Sequence, residues 1–420
     1  HYSFKTQTME GTEQSPMVGL YPHQWRHSSL PAPHRYASVR GEVHVGAASS
    51  FDTLLPYHGV VPLWPNLPLA AGGDRVQSLL VGDLAKTPHS FGTQGKGTYW
   101  IGKGLGRAAQ LLAVAHVQGE QDKANRFQEL LTQTMQRSFS GQDSQRYFRH
   151  DTTLGTVLGY PSEFGSVEHL NDHHFHYGYW IQAAAMVALR DPAWASQGQW
   201  GPMVQLLIDD IAHDQRRDSR FAYLRNFDVY EGHSWASGDA TMDAGNNQES
   251  SSEALQAWAS LVFWGAATGN TPLRDLGIAL YATESEAVKT YWFNQYGDVF
   301  DPQFKRAIAG QVFGGKYSYN TWWTENPREI QGINLLPMTT ASTYLAQPEL
   351  IQRFMEGLQQ MQGVYNASGS SDGTPADLWQ DILAQFEALA QPDQGLAHWR
   401  AQGNVEDGDS RSHALFFIQS

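Results

Sequence analysis

The sequence contains no cysteine and comparatively few charged side chains. None of its 420 residues is Cys, and Asp, Glu, Lys and Arg together make up 17% of the chain. That share lies below the roughly one quarter that is usual for soluble domains. The lack of Cys excludes disulfides, thiolate metal sites and a cysteine nucleophile, and it leaves the cellular compartment open.

Basic residues and long apolar runs are also scarce. The chain has 28 Lys and Arg against 42 Asp and Glu, a formal net charge of −14, which repels a phosphate backbone. No stretch approaches the roughly 20 apolar residues that cross a bilayer, and the N-terminal residues lack the basic-then-apolar pattern of an export signal. We therefore expect a soluble protein with neither a nucleic-acid nor a membrane partner.

Aromatic residues, in contrast, are abundant. The chain has 14 Trp, 18 Tyr and 19 Phe, and 41% of its residues are hydrophobic. This composition excludes a disordered chain, and the length suffices for one large domain or two joined domains with a substantial core.

The pattern of the sequence changes near residue 97. Residues 1–97 contain short alternating segments such as 38–45 among many prolines, which predicts a β-rich or irregular N-terminal region. Residues 98–420 contain apolar residues at helical spacing, in pairs separated by loops rich in Gly, Asn and Trp. The predicted helices are 107–119, 121–136, 173–190, 201–214, 247–268, 271–293, 332–346, 348–362 and 375–389.

No strand-helix-strand alternation is visible, so the sequence favours a mainly α fold with one large helical domain. The division is thus 1–97 for the N-terminal region and 98–420 for the helical domain. Roughly ten to twelve helices fit into the second part, enough for an α-toroid of inner and outer helices, although a count of helices does not fix how the ring closes.

The segment NDHHFHYGYW at 171–180 has the densest set of polar and aromatic residues. Helical spacing of its histidines would suit a metal site, but the glutamate of the HExxH motif is missing. We expect most of these histidines to be buried hydrogen-bonding groups and no metal to bind. Asp172 differs, because a poorly hydrated carboxyl among aromatic rings has a raised pKa and can deliver a proton at neutral pH.

The segment NNQESSSEALQAWASLVFWG at 246–265 contains Glu249 and Glu253, four residues apart. A helix starting near Asn246 or Asn247 would place both on one face, with Glu249 in the first turn. There the helix macrodipole would keep a carboxylate ionised. The alternative is a solvated helix face, but no Lys or Arg occurs between Arg225 and Arg274 to accompany the acidic groups.

One carboxyl that holds a proton and one that is ionised are what cleavage of a glycosidic bond requires. Aromatic loops at 98–100, 159–165, 227–238 and 317–327 could supply flat surfaces on which sugar rings stack.

These segments resemble glycoside hydrolase family 81, the endo-β-1,3-glucanases. The resemblance rests on NDHHFHYGYW, GHSWASG (232–238) and NQESSSEA (247–254), in the family's order. WWTENPREIQGINLLPMT (322–339) and LYPHQW (20–25) are similar to further family segments. The resemblance to this family implies an (α/α)6 barrel. It also implies an inverting hydrolase of laminarin-like or curdlan-like β-1,3-glucans that needs no cofactor or metal.

By the same resemblance, Asp172 is the expected general acid and Glu249 the expected base, with Glu253 as the alternative base. The resemblance further implies a cleft whose residues contact the sugar. The expected substrate-binding residues are His176, Tyr177, His233, Trp235, Trp323 and Glu325.

Two other functions stay open at this point. A non-catalytic β-glucan-binding protein would keep the aromatic groove without acid-base geometry, and a polysaccharide lyase would need cationic residues that are scarce near both acidic segments. For the hydrolase, we expect β-1,3-glucan polysaccharides and oligosaccharides as partners, a monomer, and an extracellular or periplasmic location.

Overall fold

The structure is a computed structural model that describes residues 1–7, 9, 11, 15–64, 73–90, 95–239, 241–368, 377–401 and 403–420. At 73, 74 and 87–90 it describes the backbone alone. No helix within these ranges is long and apolar enough to cross a membrane.

The N-terminal part contains short antiparallel strands around a small core. Strand β4 lies between β2 and β3, and the β3–β4 hairpin turns tightly because Ser38 pairs with Gly41. Gly41 has φ +91°, which a residue with a side chain rarely adopts. The elements here are β1 Tyr2–Ser3, β2 Met17–Leu20, α1 Pro22–Trp25, β3 His34–Ser38, β4 Gly41–Ala47 and β5 Ser50–Phe51.

The remainder is mainly helical, as the sequence predicts. Long helices pack against one another around one large apolar core, with short strands in the loops between them. The helices are α2 Gly73–Ser90, α3 Thr98–Val117, α4 Gln121–Phe139, α5 His173–Arg190, α6 Gly201–Ala212, α7 Ser251–Thr268, α8 Thr271–Tyr291, α9 Pro327–Gly332, α10 Pro348–Ala367, α11 Gln380–Ala388, α12 Pro392–Ala401 and α13 Arg411–Gln419. The strands in the loops are β6 Tyr147–Asp151, β7 Thr156–Tyr160, β8 Phe227–Asp228, β9 His233–Ser234, β10 Asn247–Gln248, β11 Gln311–Phe313 and β12 Tyr317–Ser318.

Two predictions of secondary structure need correction here, and the start of α7 is corrected with the site below. The first two residues of the predicted helix 375–389 lie outside the described residues, and α11 begins at Gln380. The sequence predicts one helix over residues 332–346, but they contain the end of α9 and a 3-10 helix, Thr340–Leu345. Pro337 lies between the two, and a proline interrupts the hydrogen bonds of an α-helix. Within the region expected to be β-rich or irregular, residues 73–90 form α2, whose Val76 and Leu80 are buried in the large core.

Helices α5 and α7 pack closely along their length, and they position the carboxyl groups described below. A Cβ atom at Gly178 of α5 would lie 2.8 Å from the Cβ of Ala257 on α7. Glycine is therefore required here, because any larger residue would push the two helices apart.

Candidate active site

Asp172 lies immediately before α5 in an unusual backbone conformation. Its φ is +62°, in the left-handed region, and its carboxylate does not cap the helix that follows. A non-glycine residue in this region costs about 1 kcal/mol or more and is most common at functional sites. The carboxyl of Asp172 is therefore available for other contacts, and its side chain is partly exposed.

A single residue, Ala236, links Asp172 to the segment that contains Glu249. The backbone N–H of Asp172 donates to the carbonyl oxygen of Ala236 at 2.8 Å, and the N–H of Ala236 donates to the carbonyl oxygen of Asn247 at 2.7 Å. Ala236 follows the hairpin of β8 and β9, and Asn247 begins β10. Two segments 75 positions apart in the sequence, at 172 and 247, are thereby joined through the backbone.

Glu249 lies between β10 and α7, which corrects the prediction that a helix starts near Asn246 or Asn247. Asn247 and Gln248 pair with Phe313 and Val312 of β11, so their backbone is extended and the helix begins only at Ser251. Glu249 and Glu253 therefore do not share a helix face. Glu249 is a partly exposed residue, and its Oε1 accepts from the N–H of Trp322 at 3.2 Å and from Nε2 of Gln311 at 3.4 Å.

Glu253 lies in the first turn of α7 and is buried. Its Oε1 accepts from the hydroxyl of Tyr179 at 2.7 Å and from the hydroxyl of Tyr99 at 3.0 Å. The buried ammonium of Lys103 attracts the same carboxylate and also pairs with Glu406. The carboxylate of Glu253 is thus buried and bound by several partners, whereas Asp172 and Glu249 are partly exposed residues.

The three carboxyl groups are close enough to affect one another's protonation. Burial, followed by the charges of Glu249 and Glu253, raises the pKa of Asp172 well above its usual range. Burial raises the pKa of Glu249 to about 8. The hydrogen bond from the N–H of Trp322 lowers this pKa, and the charge of Glu253 raises it by a smaller amount. The pKa of Asp172 thus moves in the direction that the sequence predicts, whereas the expectation that the macrodipole keeps Glu249 ionised is wrong.

The histidines of the 171–180 segment are buried, as expected for hydrogen-bonding groups. Nδ1 of His173 lies 2.6 Å from Oδ2 of Asp210, and its Nε2 lies 2.7 Å from the carbonyl oxygen of Ser166. Burial lowers the pKa of His174 to about 3 and that of His176 well below its usual range. Among the described residues, no group of three or more His, Asp or Glu side chains is arranged to hold a metal ion.

Asp210 on α6 joins the start of α5 to β7. Its Oδ1 accepts from the hydroxyl of Thr156 and from the N–H of Val157, both at 2.7 Å. Replacing Asp210 with Ala leaves these donors and His173 buried without their acceptor, so we expect the free energy of unfolding to fall by about 3–5 kcal/mol. Urea denaturation measures it. The adjacent Asp209→Ala, whose side chain is half-buried at the surface, serves as the control, and an equal loss in both variants would contradict the role of Asp210.

Three of the predicted substrate-binding residues are buried, which corrects their expected position along a cleft. Tyr177 is fully buried and its hydroxyl donates to the carbonyl oxygen of Val157 at 2.6 Å. His233 is fully buried among aromatic rings that include Trp292 at 5.0 Å. His176 is also fully buried, with Nδ1 2.7 Å from the hydroxyl of Thr98. Packing of α3, α5 and α8 explains these positions, which a motif alone does not reveal.

The other three lie at or near the surface. Trp323 is 50% exposed and its ring centroid is 6.5 Å from that of Trp379. Glu325 is exposed on the same loop. Trp235 is half-buried, and the guanidinium of Arg40 lies 5.6 Å from its ring centroid, beside the N-terminal part of the chain.

Sequence reasoning missed several residues that surround the carboxyl groups. Tyr99 and Tyr179 lie in aromatic segments that the sequence analysis singles out, so their residue type is a usable signal. Nothing in the sequence indicates that both hydroxyls contact Glu253. Gln311 and the N–H of Trp322 reach Glu249 through a β-strand and a loop more than 60 residues away. Phe164, 54% exposed at φ +53°, lies 5.1 Å from Tyr99.

Asp172 and Glu249 have raised pKa values and lie on partly exposed residues, and the exposed Trp322 contacts Glu249. Such carboxyl groups can transfer protons to and from a neutral ligand. On a helical fold, this arrangement is typical of the glycoside hydrolase class of proteins.

Comparison with known proteins gives the family. The sequence profile of the glycosyl hydrolase family 81 C-terminal domain matches residues 73–415. The chain therefore belongs to glycosyl hydrolase family 81. Its first residues, before the matched range, contain the strands β1 to β5.

Several relatives are similar over nearly the whole chain. A glucan endo-1,3-beta-D-glucosidase of Acetivibrio thermocellus is 42% identical over 99% of this chain and 53% of its own length. One of Thermobifida fusca is 36% identical over 100% of this chain and 54% of its own length. A solved family 81 glycoside hydrolase of Clostridium thermocellum, a mutant form, has a TM-score of 0.90 at 41% identity, covering 98% of this chain and 56% of that chain. The chain thus spans about half the length of these relatives.

Proposed function

We propose that the protein is an endo-acting hydrolase of β-1,3-glucans such as laminarin and curdlan, and that it inverts the anomeric configuration. The observation that carries this proposal is the backbone link through Ala236, which brings the partly exposed Asp172 next to the segment of Glu249. The relatives named as glucan endo-1,3-beta-D-glucosidases support the same substrate.

Asp172 is the proposed general acid. Its pKa is raised well above the usual range, which favours the protonated form of the carboxyl, and its side chain is not used to cap α5. In the proposed reaction it donates this proton to the glycosidic oxygen as the bond to the leaving sugar breaks.

Glu249 in its ionised form is the proposed general base, which removes a proton from the attacking water on the opposite face of the sugar. Because burial raises its pKa to about 8, the ionised fraction of Glu249, and the activity with it, should rise with pH through that value. One oxygen accepts from Trp322 and Gln311, which fixes the orientation of the carboxylate. Inversion requires the two carboxyl groups to be about 6.5–9.5 Å apart, so that the water fits between the base and the sugar.

Glu253 is the less suitable base because it is buried and both tyrosine hydroxyls bind its Oε1. We assign it an electrostatic role: its charge raises the pKa of both Asp172 and Glu249.

This role makes a prediction for Glu253→Gln, whose amide oxygen can still accept from Tyr99 and Tyr179. Loss of one negative charge lowers the pKa of Asp172 and that of Glu249. Both limbs of the pH profile of kcat/KM on laminarin should therefore move to lower pH. A profile with unchanged limbs and only a lower maximum would exclude the electrostatic role.

We further propose that the helices form an (α/α)6 barrel. Its inner ring would consist of α3, α5, α7, α9 with the 3-10 helix, α11 and α13. Contacts of α3 with α5, α5 with α7, α7 with the 3-10 helix, α11 with α13, and α13 with α3 support the ring, as does the 2.7 Å hydrogen bond from Arg328 on α9 to Gln380 on α11. Outside it, α4 packs on α3 and α5, α8 on α7, and α12 on α11 and α13.

A division of the chain into an N-terminal region and a helical domain, an extracellular or periplasmic location and a monomeric state complete the proposal. Helix α2 belongs to the helical side of this division, because Val76 and Leu80 are buried in the large core. The location follows from the substrate, because such polysaccharides are found outside the cytoplasm. Incubation with laminarin and measurement of new reducing ends tests the activity. Tight binding to insoluble glucan without release of sugar would instead favour a non-catalytic glucan-binding protein.

A further inference from the structure

A trough runs between α10 on one side and α11 and α12 on the other, and none of its lining residues contacts the carboxyl groups described above. Its volume is about 740 Å³. Gln352, Gln359, Gln362 and Asn366 line it from α10 at spacings of seven, three and four residues, which places them on one helix face. This stripe, from residue 352 to residue 366, is about 21 Å long at the rise of an α-helix.

Side-chain amides dominate the lining of the trough. Seven of its fifteen lining residues are Gln or Asn, and Gln380 and Gln391 contribute from the side opposite α10. Within the stripe, Nε2 of Gln362 donates to Oδ1 of Asn366 at 3.0 Å. The remaining donors and acceptors of the amides can serve a ligand with many hydroxyl groups. Oε1 of Gln362 is buried and has no partner among the described residues.

The charged residues of the trough are already engaged. Arg328 donates to Gln380 at 2.7 Å, Glu387 pairs with His398, and Glu356 accepts from Gln352 at 2.9 Å. Apolar side chains such as Leu383 complete the surface. The trough therefore suits a neutral, hydroxylated ligand better than a charged one.

One end of the trough adjoins the aromatic residues beside Glu249. Gln380 directly follows Trp379, whose ring is 6.5 Å from that of Trp323. Trp322, the neighbour of Trp323, donates its N–H to Glu249. Trp322, Trp323 and Trp379 thus connect the carboxyl groups to the amide-lined trough.

We propose that the trough is an accessory binding site for a neutral, hydroxylated polysaccharide chain, and that it holds a distant part of the same β-1,3-glucan whose cleavage is proposed above. This inference rests on the proposed function. A short oligosaccharide would occupy the region of the carboxyl groups alone, whereas a polymer would also contact the trough.

The double variant Gln359→Ala and Gln391→Ala tests the site. Both side chains lie at least partly at the surface, so the fold should persist. We expect KM for laminarin to rise about tenfold from the loss of these hydrogen bonds, and kcat/KM for a β-1,3-linked pentasaccharide to stay the same. Gln133→Ala on the exposed side of α4 is the matched control and should change neither value.

If the double variant has the same KM for laminarin as the parent protein, the trough is not a glucan site. Its occupant would then be a different ligand, such as a peptide. An equal loss on both substrates would also overturn it. Binding is measured separately, by retardation of the protein in native gels that contain laminarin. If the parent protein hydrolyses neither substrate, the proposed function fails, and the gel retardation of the double variant still decides whether the trough binds glucan.

Discussion

Glu249→Gln is expected to lower kcat for laminarin hydrolysis by about 10²–10⁴-fold, because a neutral amide cannot accept the proton of the attacking water. The replacement is nearly isosteric, and its amide oxygen can still accept from Trp322 and Gln311. Binding of laminarin should therefore persist while the release of reducing ends is lost. Reducing-end assays and native-gel retardation measure the two properties on the same sample.

The matched control is Glu129→Gln, on the exposed face of α4. It removes the same charge without touching the carboxyl cluster and should leave kcat unchanged. If Glu249→Gln retained full activity while Glu253→Gln abolished it, the base would be Glu253.

Asp172→Asn should produce a loss of similar size on laminarin, since the leaving sugar would depart as an unprotonated alkoxide. Asn tolerates the left-handed backbone that Asp172 adopts, so the turn into α5 should be preserved. The loss of activity should be smaller on the dinitrophenyl β-glycoside of a β-1,3-linked glucose oligosaccharide, because dinitrophenolate needs no proton to depart.

The dependence on the leaving group separates an acid from a residue that only shapes the site. Equal losses on laminarin and on the aryl substrate would remove Asp172 from the role of proton donor. Asp122→Asn at the exposed start of α4 provides the control and should leave both rates unchanged.

The sequence predicts best where a single periodic pattern decides the structure. Helix α4 begins at the predicted residue 121, and its buried residues Ala124, Phe127, Leu131 and Met135 recur every three or four positions. The raised pKa of Asp172 and the burial of His173 also follow from local composition.

The sequence is a poorer guide to structure where segments that are distant in the chain come into contact. Pairing of β10 with β11, about 65 residues away in the chain, moves the start of α7 to Ser251 and places Glu249 outside the helix. The burial of Tyr177 and His233 likewise depends on packing between helices. The link through Ala236 has no signal in the sequence, because only backbone atoms form it.

The most direct test of the proposed mechanism is the configuration of the first product released from laminarin, followed by NMR before mutarotation. An inverting reaction predicts new reducing ends whose anomeric proton signal is that of the α anomer, with the β anomer appearing only later. Initial release of the β anomer, or the absence of any new reducing end, would contradict the mechanism.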